Sequence, residues 1–241
     1  MTAALFLSDD LSGDVVVLTG SEGHHAATVR RVRVGEDVDV ADGRGTRVRC
    51  TVVALGHDAV SLQVVERVVE PRPEPWLVLA QAIAKGDRGE LAVELATEVG
   101  VDEVLPWAAA RCVVRWDGPR GERALGRWRS TAREAGKQSR RARHPVVTAQ
   151  HDTEALLARA AGATTLVLHE AADVPLAGAP LPAEGEVLLV VGPEGGVTDR
   201  ELAQLTGAGA TAVRLGRSVL RTSTAGAAAA AVVSARTARW A

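Results

Sequence analysis

The hydrophobic pattern of the chain changes at a run of prolines. Before that run, short valine-rich segments alternate with turn residues such as Asp42-Gly43, which is typical of β-strands joined by hairpins. They predict strands at 15–18, 37–40, 47–55 and 59–65. Pro71, Pro73 and Pro75 can continue neither a helix nor a central strand. We therefore predict a small β-barrel over residues 1–70, a linker over 71–75 and a second domain over 76–241.

The second domain is predicted as α/β, because apolar runs alternate there with helical patterns. We expect strands at 77–84, 104–105, 112–114, 165–169, 187–191 and 211–215. Helices are expected at 87–99, 120–139 and 222–238. The first is expected to bury Leu91, Leu95 and Val99, and the second Leu125, Trp128 and Ala132. The small residues of the last helix allow it to approach another backbone, or its copy in a partner, closely.

Composition places the chain among ordinary folded proteins. Its 241 residues are 46% hydrophobic and 24% charged, which excludes disordered and collagen-like classes. No apolar run reaches the roughly 18 residues of a membrane helix, and the first residues lack the basic start of a signal peptide. Cys50 and Cys112 alone make neither a zinc site nor a disulfide scaffold. We expect a cytoplasmic protein that holds no metal and contacts no membrane.

Positive charge is concentrated in one segment. Residues 111–143 contain eleven arginines and lysines against three acidic residues, although the whole chain has a net charge of −2. A cationic patch of this kind predicts a local site for a polyanion. A solvated helix face in an arginine-rich chain explains the same counts, and charge alone leaves both interpretations open.

The strongest candidate site is the loop Gly192-Pro193-Glu194-Gly195-Gly196, which follows a predicted strand. Thr198 and Glu201 then form a capping-box pattern that begins a helix. This arrangement places main-chain groups at the carboxyl edge of a parallel sheet, where ligands bind in open α/β folds. A second loop, 215–221, joins a strand to the last helix in the same way. The alternative to a site is a tight structural turn. P-loop, zinc-protease and serine-hydrolase motifs do not occur.

Together these motifs resemble one known family. The loops at 192–196 and 215–222 are similar to the cofactor-binding end of the SPOUT methyltransferases. Lys85-Gly86-Asp87, Glu134-Ala135 and Gly23-His24-His25 are similar to further motifs of the 16S ribosomal RNA uridine N3-methyltransferases. The resemblance covers nearly the whole chain in order.

This resemblance implies a C-terminal SPOUT α/β domain with a deep trefoil knot, preceded by a PUA-like β-barrel that binds RNA. It implies S-adenosylmethionine as cofactor and a homodimer. It also implies that N3 of one uridine is methylated near the 3′ end of 16S rRNA, in the decoding region, on the assembled small ribosomal subunit. By matching position, the cofactor-binding residues are expected to be Leu168, His169, Glu170, Gly192, Pro193, Glu194, Gly195, Gly196, Leu215, Gly216, Ser218, Val219 and Leu220.

Three residues are candidates for catalysis. Arg141 and Arg221 are assigned as donors to a uracil oxygen or a phosphate, since arginine does not release its proton. Glu194 is assigned as base or orienting group. RNA contacts are expected from His25, Arg30, Arg31, Arg33, Lys85, Arg111, Arg133, Gln138, Arg140 and Arg141.

The sequence departs from the family at Ser223, where the family commonly has a glutamate. Two other functions therefore stay open. One is an RNA-binding ribosome assembly factor with this fold but without turnover. The other is a SPOUT enzyme that acts on a different RNA or on a ribose 2′-oxygen.

Overall fold

The structure, a computed structural model, describes residues 3–240 of the chain. The chain divides into two compact units. Met1–Arg72 and Gly136–His144 form the N-terminal unit, whereas Pro73–Ala135 and Pro145–Ala241 form the C-terminal unit. The prediction of one continuous boundary at 71–75 did not anticipate that residues 136–144 would group with the β-strands of the first unit.

The N-terminal unit contains one five-stranded sheet. Its strands are β1 (Leu5–Leu7), β2 (Val15–Leu18), β3 (Asp37–Ala41), β4 (Thr46–Leu55) and β5 (Val60–Val69), arranged in the order β1-β3-β4-β5-β2. Neighbouring strands pair antiparallel except β1 and β3, which are parallel. Between β2 and β3, helix α1 (Gly20–His24) continues into a π-helical turn, His25–Val29. All five strands contribute to one apolar core around Phe6, Leu18 and Leu62.

Residues 136–144, which we call the returning segment, attach to the turn between β3 and β4. The Gly45 N–H donates to the Ala142 carbonyl at 2.9 Å, and the His144 N–H donates to the Gly43 carbonyl at 2.9 Å. The segment therefore completes the N-terminal unit by main-chain hydrogen bonds that no local sequence pattern indicates.

The C-terminal unit contains a parallel sheet of seven strands. They are β6 (Trp76–Ala82), β7 (Glu103–Trp107), β8 (Val146–Val147), β9 (Thr164–Leu168), β10 (Val174–Pro175), β11 (Glu186–Val191) and β12 (Thr211–Arg214). Their order is β10-β12-β9-β11-β6-β7-β8, and every neighbouring pair is parallel. The helices are α2 (Arg88–Glu98), α3 (Gly118–Gln138), α4 (Thr153–Ala160), α5 (Asp199–Gly207) and α6 (Thr222–Ala235), with 3₁₀ turns at Leu176–Gly178 and Ala238–Trp240. The predicted α/β class with an N-terminal β unit is confirmed.

Both faces of the parallel sheet are buried, which explains its continuous apolar strands. Leu77 and Leu79 of β6 belong to a cluster that includes residues of α2, α3 and α6. Val78 and Ala80, which alternate with them, belong to a second cluster that includes residues of α4 and α5. The strands are therefore held between two helical layers.

The expected strand at 112–114 does not form. The Cys112 N–H donates to the Ala109 carbonyl at 3.1 Å, which makes a turn, and the Val113 side chain is exposed. Cys112 is buried, but a single buried residue in this run does not produce a strand.

The prediction for α2 was only partly right about which side is buried: Leu95 and Val99 are half-buried, and Val99 packs against the core. Leu91 is exposed, whereas Ala92, Val93 and Ala96 are buried. The reason is close packing: a Cβ added to Gly89 would lie 2.6 Å from the ring of Trp128 in α3. The small residues of α2 leave room for the Trp128 ring. The side of the helix that carries them is therefore buried, and the leucine spacing does not mark that side.

Helix α6 ends at Ala235, three residues before the predicted end. Its small residues pack inside the unit, since a Cβ added to Gly226 would lie 2.9 Å from the side chain of Leu79. Ala229 and Ala230 are completely buried. In the described residues, no helix is both long enough and apolar enough to cross a bilayer.

A buried ion pair holds Arg239, which follows α6, within the C-terminal unit. Arg239 Nη1 lies 2.7 Å from Oδ2 of Asp102, whose side chain has no exposed surface. The same guanidinium donates to the carbonyls of Pro75 at 2.7 Å and Gly100 at 2.5 Å. Removing the arginine therefore takes a counter-ion away from a buried carboxylate.

We expect Arg239→Ala to lower the free energy of unfolding by about 3–5 kcal/mol, because an uncompensated buried charge is costly. The control is Arg200→Ala, which removes an exposed arginine and should change the value by less than about 0.5 kcal/mol. Urea unfolding followed by circular dichroism measures both. Equal effects of the two substitutions would contradict the role of the pair.

Candidate active site at the carboxyl edge of the sheet

A cavity of about 490 Å³ lies at the carboxyl edge of the parallel sheet. Strands β9, β11 and β12 end there at Leu168, Val191 and Arg214, and the loops after them line the cavity. Parallel strands bring their carboxyl ends to one edge, so three loops distant in sequence meet. The volume suits a small organic ligand, for which pockets of about 300–1,000 Å³ are usual.

Every residue predicted to bind the cofactor lines this cavity. The first loop contributes Leu168, His169 and Glu170, the second contributes Gly192, Pro193, Glu194, Gly195 and Gly196, and the third contributes Leu215, Gly216, Ser218, Val219 and Leu220. Arg221, one of the catalytic candidates, lies in the same lining. Seven further lining residues were not predicted: Arg88, Val191, Val197, Arg214, Arg217, Thr222 and Ala225.

The glycine loop is a tight turn fixed by an arginine. The Gly196 N–H donates to the Pro193 carbonyl at 2.8 Å, and Gly196 has a φ of +73°, which favours glycine. Arg111 Nη1 donates to the Gly195 carbonyl at 2.9 Å. Arg111 is exposed and was predicted to contact RNA, which stays a prediction; the structure adds that its guanidinium binds the main chain of this loop.

The third loop offers unpaired main-chain groups. Among the hydrogen bonds of the described residues, none involves the main chain of 216–220. A Cβ added to Gly216 would meet nothing within 4 Å. Val219 and Leu220 expose 78% and 39% of their surface, although both are apolar. The loop can therefore supply hydrogen bonds and apolar contact to a ligand.

A buried hydrogen-bond chain ties the glycine loop to the sheet. Gln81 in β6 is completely buried, and its Nε2 donates to Thr222 Oγ1 at 2.9 Å. That hydroxyl donates to the Gly192 carbonyl at 2.8 Å. Sequence reasoning missed both side chains, although a lone glutamine in the apolar strand 76–82 was a usable signal.

Glu194 is held by groups that follow β6. Its Oε1 accepts hydrogen bonds from the Lys85 N–H and from Arg88 Nη1, each at 3.2 Å. Burial raises the pKa of Glu194, but hydrogen bonds from its own main chain and from Lys85, with the charge of Arg88, outweigh burial and lower it. The carboxylate is therefore ionised at neutral pH and a weak base.

The cavity has an excess of positive charge. Its lining contains four arginines and two glutamates, namely Arg88, Arg214, Arg217, Arg221, Glu170 and Glu194. Arg214 Nη1 donates to the carbonyls of Ala172 and Asp173. Arg217 and Arg221 are exposed, and no hydrogen bond or ion pair of the described residues includes either guanidinium. These two groups are available to an anionic ligand.

The remaining RNA candidates are divided between the two units. Lys85 and Arg133 are exposed in the C-terminal unit. In the N-terminal unit, the exposed candidates are Arg30, Arg31, Arg33, Gln138 and Arg140. His25 is half-buried, with its ring edge-on to Phe6, and Arg141 is half-buried in the returning segment. Within residues 3–240, no group of three or more potential ligands is placed to hold a metal ion.

Comparison with known proteins gives consistent matches over the whole chain. A family profile described as an RNA methyltransferase domain matches residues 71–234, and one described as an RNA methyltransferase PUA domain matches 18–65. The ribosomal RNA small subunit methyltransferase E of Mycobacterium tuberculosis is 49% identical over 100% of this chain and 94% of its own length. The Bacillus subtilis protein of the same name is 32% identical over 86% of this chain and 85% of its own length.

Two solved structures share the fold. A ribosomal RNA small subunit methyltransferase E from Neisseria gonorrhoeae, bound to S-adenosyl methionine, gives a TM-score of 0.88 at 27% identity and covers 98% of each chain. A putative methyltransferase from Legionella pneumophila, in complex with the same cofactor, gives 0.86 at 26% identity and covers 98% of this chain and 99% of its own.

Glu201 stabilises the helix that follows the glycine loop. Its Oε2 accepts from the Thr198 hydroxyl at 2.6 Å and from the Thr198 N–H at 3.0 Å, while Oε1 accepts from the Ala110 N–H at 2.7 Å. This is the predicted capping box, which the structure confirms. Burial raises the pKa of Glu201, but these hydrogen bonds outweigh burial and lower it below the ordinary value of 4.5.

A carboxyl group whose pKa is lower in the folded state than in the unfolded state stabilises the fold at pH values above its unfolded pKa. That contribution to stability is lost as the pH falls through the folded pKa. We expect the free energy of unfolding to decrease below about pH 4.5. Glu201→Gln should cost about 1–3 kcal/mol at pH 7 and show a weaker acid dependence. Urea unfolding at pH 7 and pH 4 measures both effects, with the exposed Glu184→Gln as control. An unchanged acid dependence in Glu201→Gln would refute this assignment.

Proposed function

Since this chain belongs to the family of ribosomal RNA small subunit methyltransferases E, we propose that it methylates 16S rRNA with S-adenosylmethionine. The proposed target is N3 of one uridine near the 3′ end, in the decoding region, on the assembled small subunit. A homodimer, a knotted C-terminal topology and a cytoplasmic location belong to the same proposal. The observation that carries it is the cavity at the carboxyl edge of the sheet, where every cofactor residue expected from the family lies in one lining.

The cavity fits the proposed cofactor in its chemistry. The main chain of 216–220 has donors and acceptors that no described residue uses, and these suit the edge of an adenine ring. Exposed Val219 and Leu220 offer apolar surface to its faces. When bound, S-adenosylmethionine supplies an electrophilic methyl group on its sulfonium sulfur. The protein's task is to align the uridine N3 with that methyl group.

Proton removal from N3 is the chemical difficulty, because the N3–H of uracil is mostly retained at neutral pH. Ser223 is buried at 3% exposure and carries no carboxylate. Glu194 has a lowered pKa and two hydrogen bonds to Oε1, which supports the orienting role over that of a general base. We therefore assign Glu194 to fixing the glycine loop.

Stabilisation of the uracil anion is assigned to arginine. Arg221 lines the cavity with an exposed guanidinium that no described residue occupies, so it can donate to a developing charge on a uracil oxygen. Arg141 keeps its proposed role as a second donor to the substrate. A stabilised anion lowers the need for a strong base, so the N3 proton passes to solvent water as the N3–methyl bond forms and the methyl–sulfur bond breaks.

RNA is proposed to bind through exposed cations of both units. Lys85 and Arg133 in the C-terminal unit, and Arg30, Arg31 and Arg33 in the N-terminal unit, are exposed. Phosphate contacts of this kind position a substrate without reading its sequence. The target base is proposed to turn out of its stack to reach the cavity.

The second candidate is an RNA-binding assembly factor without turnover, and the buried Ser223 is the observation that favours it. Calorimetry with S-adenosylmethionine separates the two functions. A protein with no measurable affinity for the cofactor supports the assembly factor.

The test of the proposed function is methyl transfer in vitro. Small subunits from a strain that lacks this enzyme are incubated with the protein and S-adenosylmethionine, and the 16S rRNA is analysed by nucleoside mass spectrometry. We expect N3-methyluridine at one site in the 3′ region. A methyl group on another base, or on a ribose 2′-oxygen, rejects the proposed target.

The matched variants are two glycine-to-alanine substitutions. In Gly195→Ala the new Cβ lies 3.2 Å from Cβ of Arg111 and disturbs its hydrogen bond to the loop, so cofactor affinity should fall at least about tenfold, or 1.4 kcal/mol. Gly207→Ala meets nothing within 4 Å and should leave affinity unchanged. Calorimetry measures both dissociation constants.

A further inference from the structure

A largely buried ion pair joins Lys137, near the end of α3, to Glu22 of α1 within the N-terminal unit. Lys137 Nζ lies 2.7 and 2.8 Å from the two carboxylate oxygens of Glu22. The side chains are only 13% and 16% exposed. Glu22 Oε2 also accepts the Leu7 N–H at 3.1 Å, and the Lys137 ammonium lies 5.8 Å from the centre of the Phe6 ring. Both partners are thus fixed on the core of the unit.

The returning segment is held at its other end by main-chain contacts. Ala142 and His144 are hydrogen-bonded to the turn between β3 and β4. Between the two attachments lie residues 138–141, Gln138-Ser139-Arg140-Arg141, which we call the cationic strip. Arg47 Nη2 donates to the Arg140 carbonyl at 2.8 Å, and Arg140 has a φ of +59°. The course of the strip is therefore set from both sides.

Two side chains of the strip, those of Gln138 and Arg140, are not used by the fold. Gln138 and Arg140 are exposed, and no hydrogen bond or ion pair of the described residues involves either side chain. Lys137 itself is too buried to reach a ligand. Its charge is also neutralised by Glu22, so it can affect an RNA only through the residues that follow it.

Stability alone is a weak reason for this pair. Taking a lysine and a glutamate out of water costs free energy that their attraction scarcely repays, and an apolar pair would hold the same surfaces together. However, a carboxylate that binds one ammonium through both of its oxygens does fix the position of one segment relative to the other. The geometry of the ion pair therefore suits a contact that fixes the position of the cationic strip.

We propose that Glu22 and Lys137 are positioning residues for substrate binding, and that their ion pair holds the cationic strip on the N-terminal unit so that it contacts the phosphates of the ribosomal RNA. This inference rests on the proposed function, because the ligand is the RNA of the small subunit. It adds to the expected RNA contacts of Gln138, Arg140 and Arg141 the ion pair that fixes where these residues lie on the N-terminal unit.

The sign of the Glu22→Gln effect tests the proposal. This substitution keeps the size of the side chain but removes a negative charge, so simple attraction to a polyanion predicts equal or tighter binding. Positioning predicts the reverse: we expect the dissociation constant for unmethylated small subunits to rise about tenfold, the effect of leaving one or two phosphates without their cation. The slope of log affinity against log salt should become shallower by about one for each phosphate that the protein no longer neutralises.

Two variants of the lysine and one control complete the set. Lys137→Met should weaken subunit binding as Glu22→Gln does, whereas Lys137→Arg keeps the ion pair and should bind within about twofold of the wild type. Glu66→Gln is the charge-matched control, because Glu66 forms an exposed ion pair with Arg49 in the same sheet. It should not weaken binding. The dissociation constant for S-adenosylmethionine should stay within about twofold throughout, well below the tenfold change expected for the RNA.

The outcomes separate this proposal from the proposed function. Tighter or unchanged subunit binding by Glu22→Gln and Lys137→Met overturns the positioning role. A parallel loss of cofactor affinity overturns it too, since that indicates general damage. Methyl transfer by the wild type is measured in the same samples. Absence of transfer with intact subunit binding rejects the proposed reaction only, because the positioning role is read from binding.

Discussion

The parallel register of β9, β11 and β12 is the constraint on which the active site depends. Because these strands run in one direction, the loops that follow them meet at one edge of the sheet and enclose a single cavity. Two helical layers bury both faces of the sheet, so the register cannot slip without exposing a core. The cavity is thus lined by three loops, and the fold sets the positions of their main-chain groups.

Those main-chain groups are fixed by a few polar side chains. Gln81 donates a hydrogen bond to the Thr222 hydroxyl, which donates in turn to the Gly192 carbonyl. Arg111 donates to the Gly195 carbonyl. Glu194 is anchored in turn by groups that follow β6. In contrast, the loop at 216–220 has no such support among the described residues. The site therefore combines a rigid wall with a loop whose hydrogen-bonding groups are free to meet a ligand.

Much of this arrangement could be predicted from the sequence, because strand, glycine loop and helix leave a local pattern. The loops at 192–196 and 215–220 were found in that way. The burial of α2 was only partly predicted, since Gly89 packs against Trp128 of another helix and no local spacing records such a contact. The hydrogen bond from Arg111 to the glycine loop could not be predicted for the same reason, because a charge count does not record which carbonyl a guanidinium binds. The cationic stretch 111–143 is divided between the two units, because residues 136–143 belong to the N-terminal unit.

The central claim is that main-chain groups at this sheet edge hold the methyl donor, and amide hydrogen exchange tests it most directly. Exchange is followed by mass spectrometry on the free protein and with saturating S-adenosylmethionine. The account predicts that protection appears at 216–220, where the free protein has no main-chain hydrogen bonds, with a smaller change at 192–196. Protection confined to another part of the chain, with 216–220 unchanged, would contradict it.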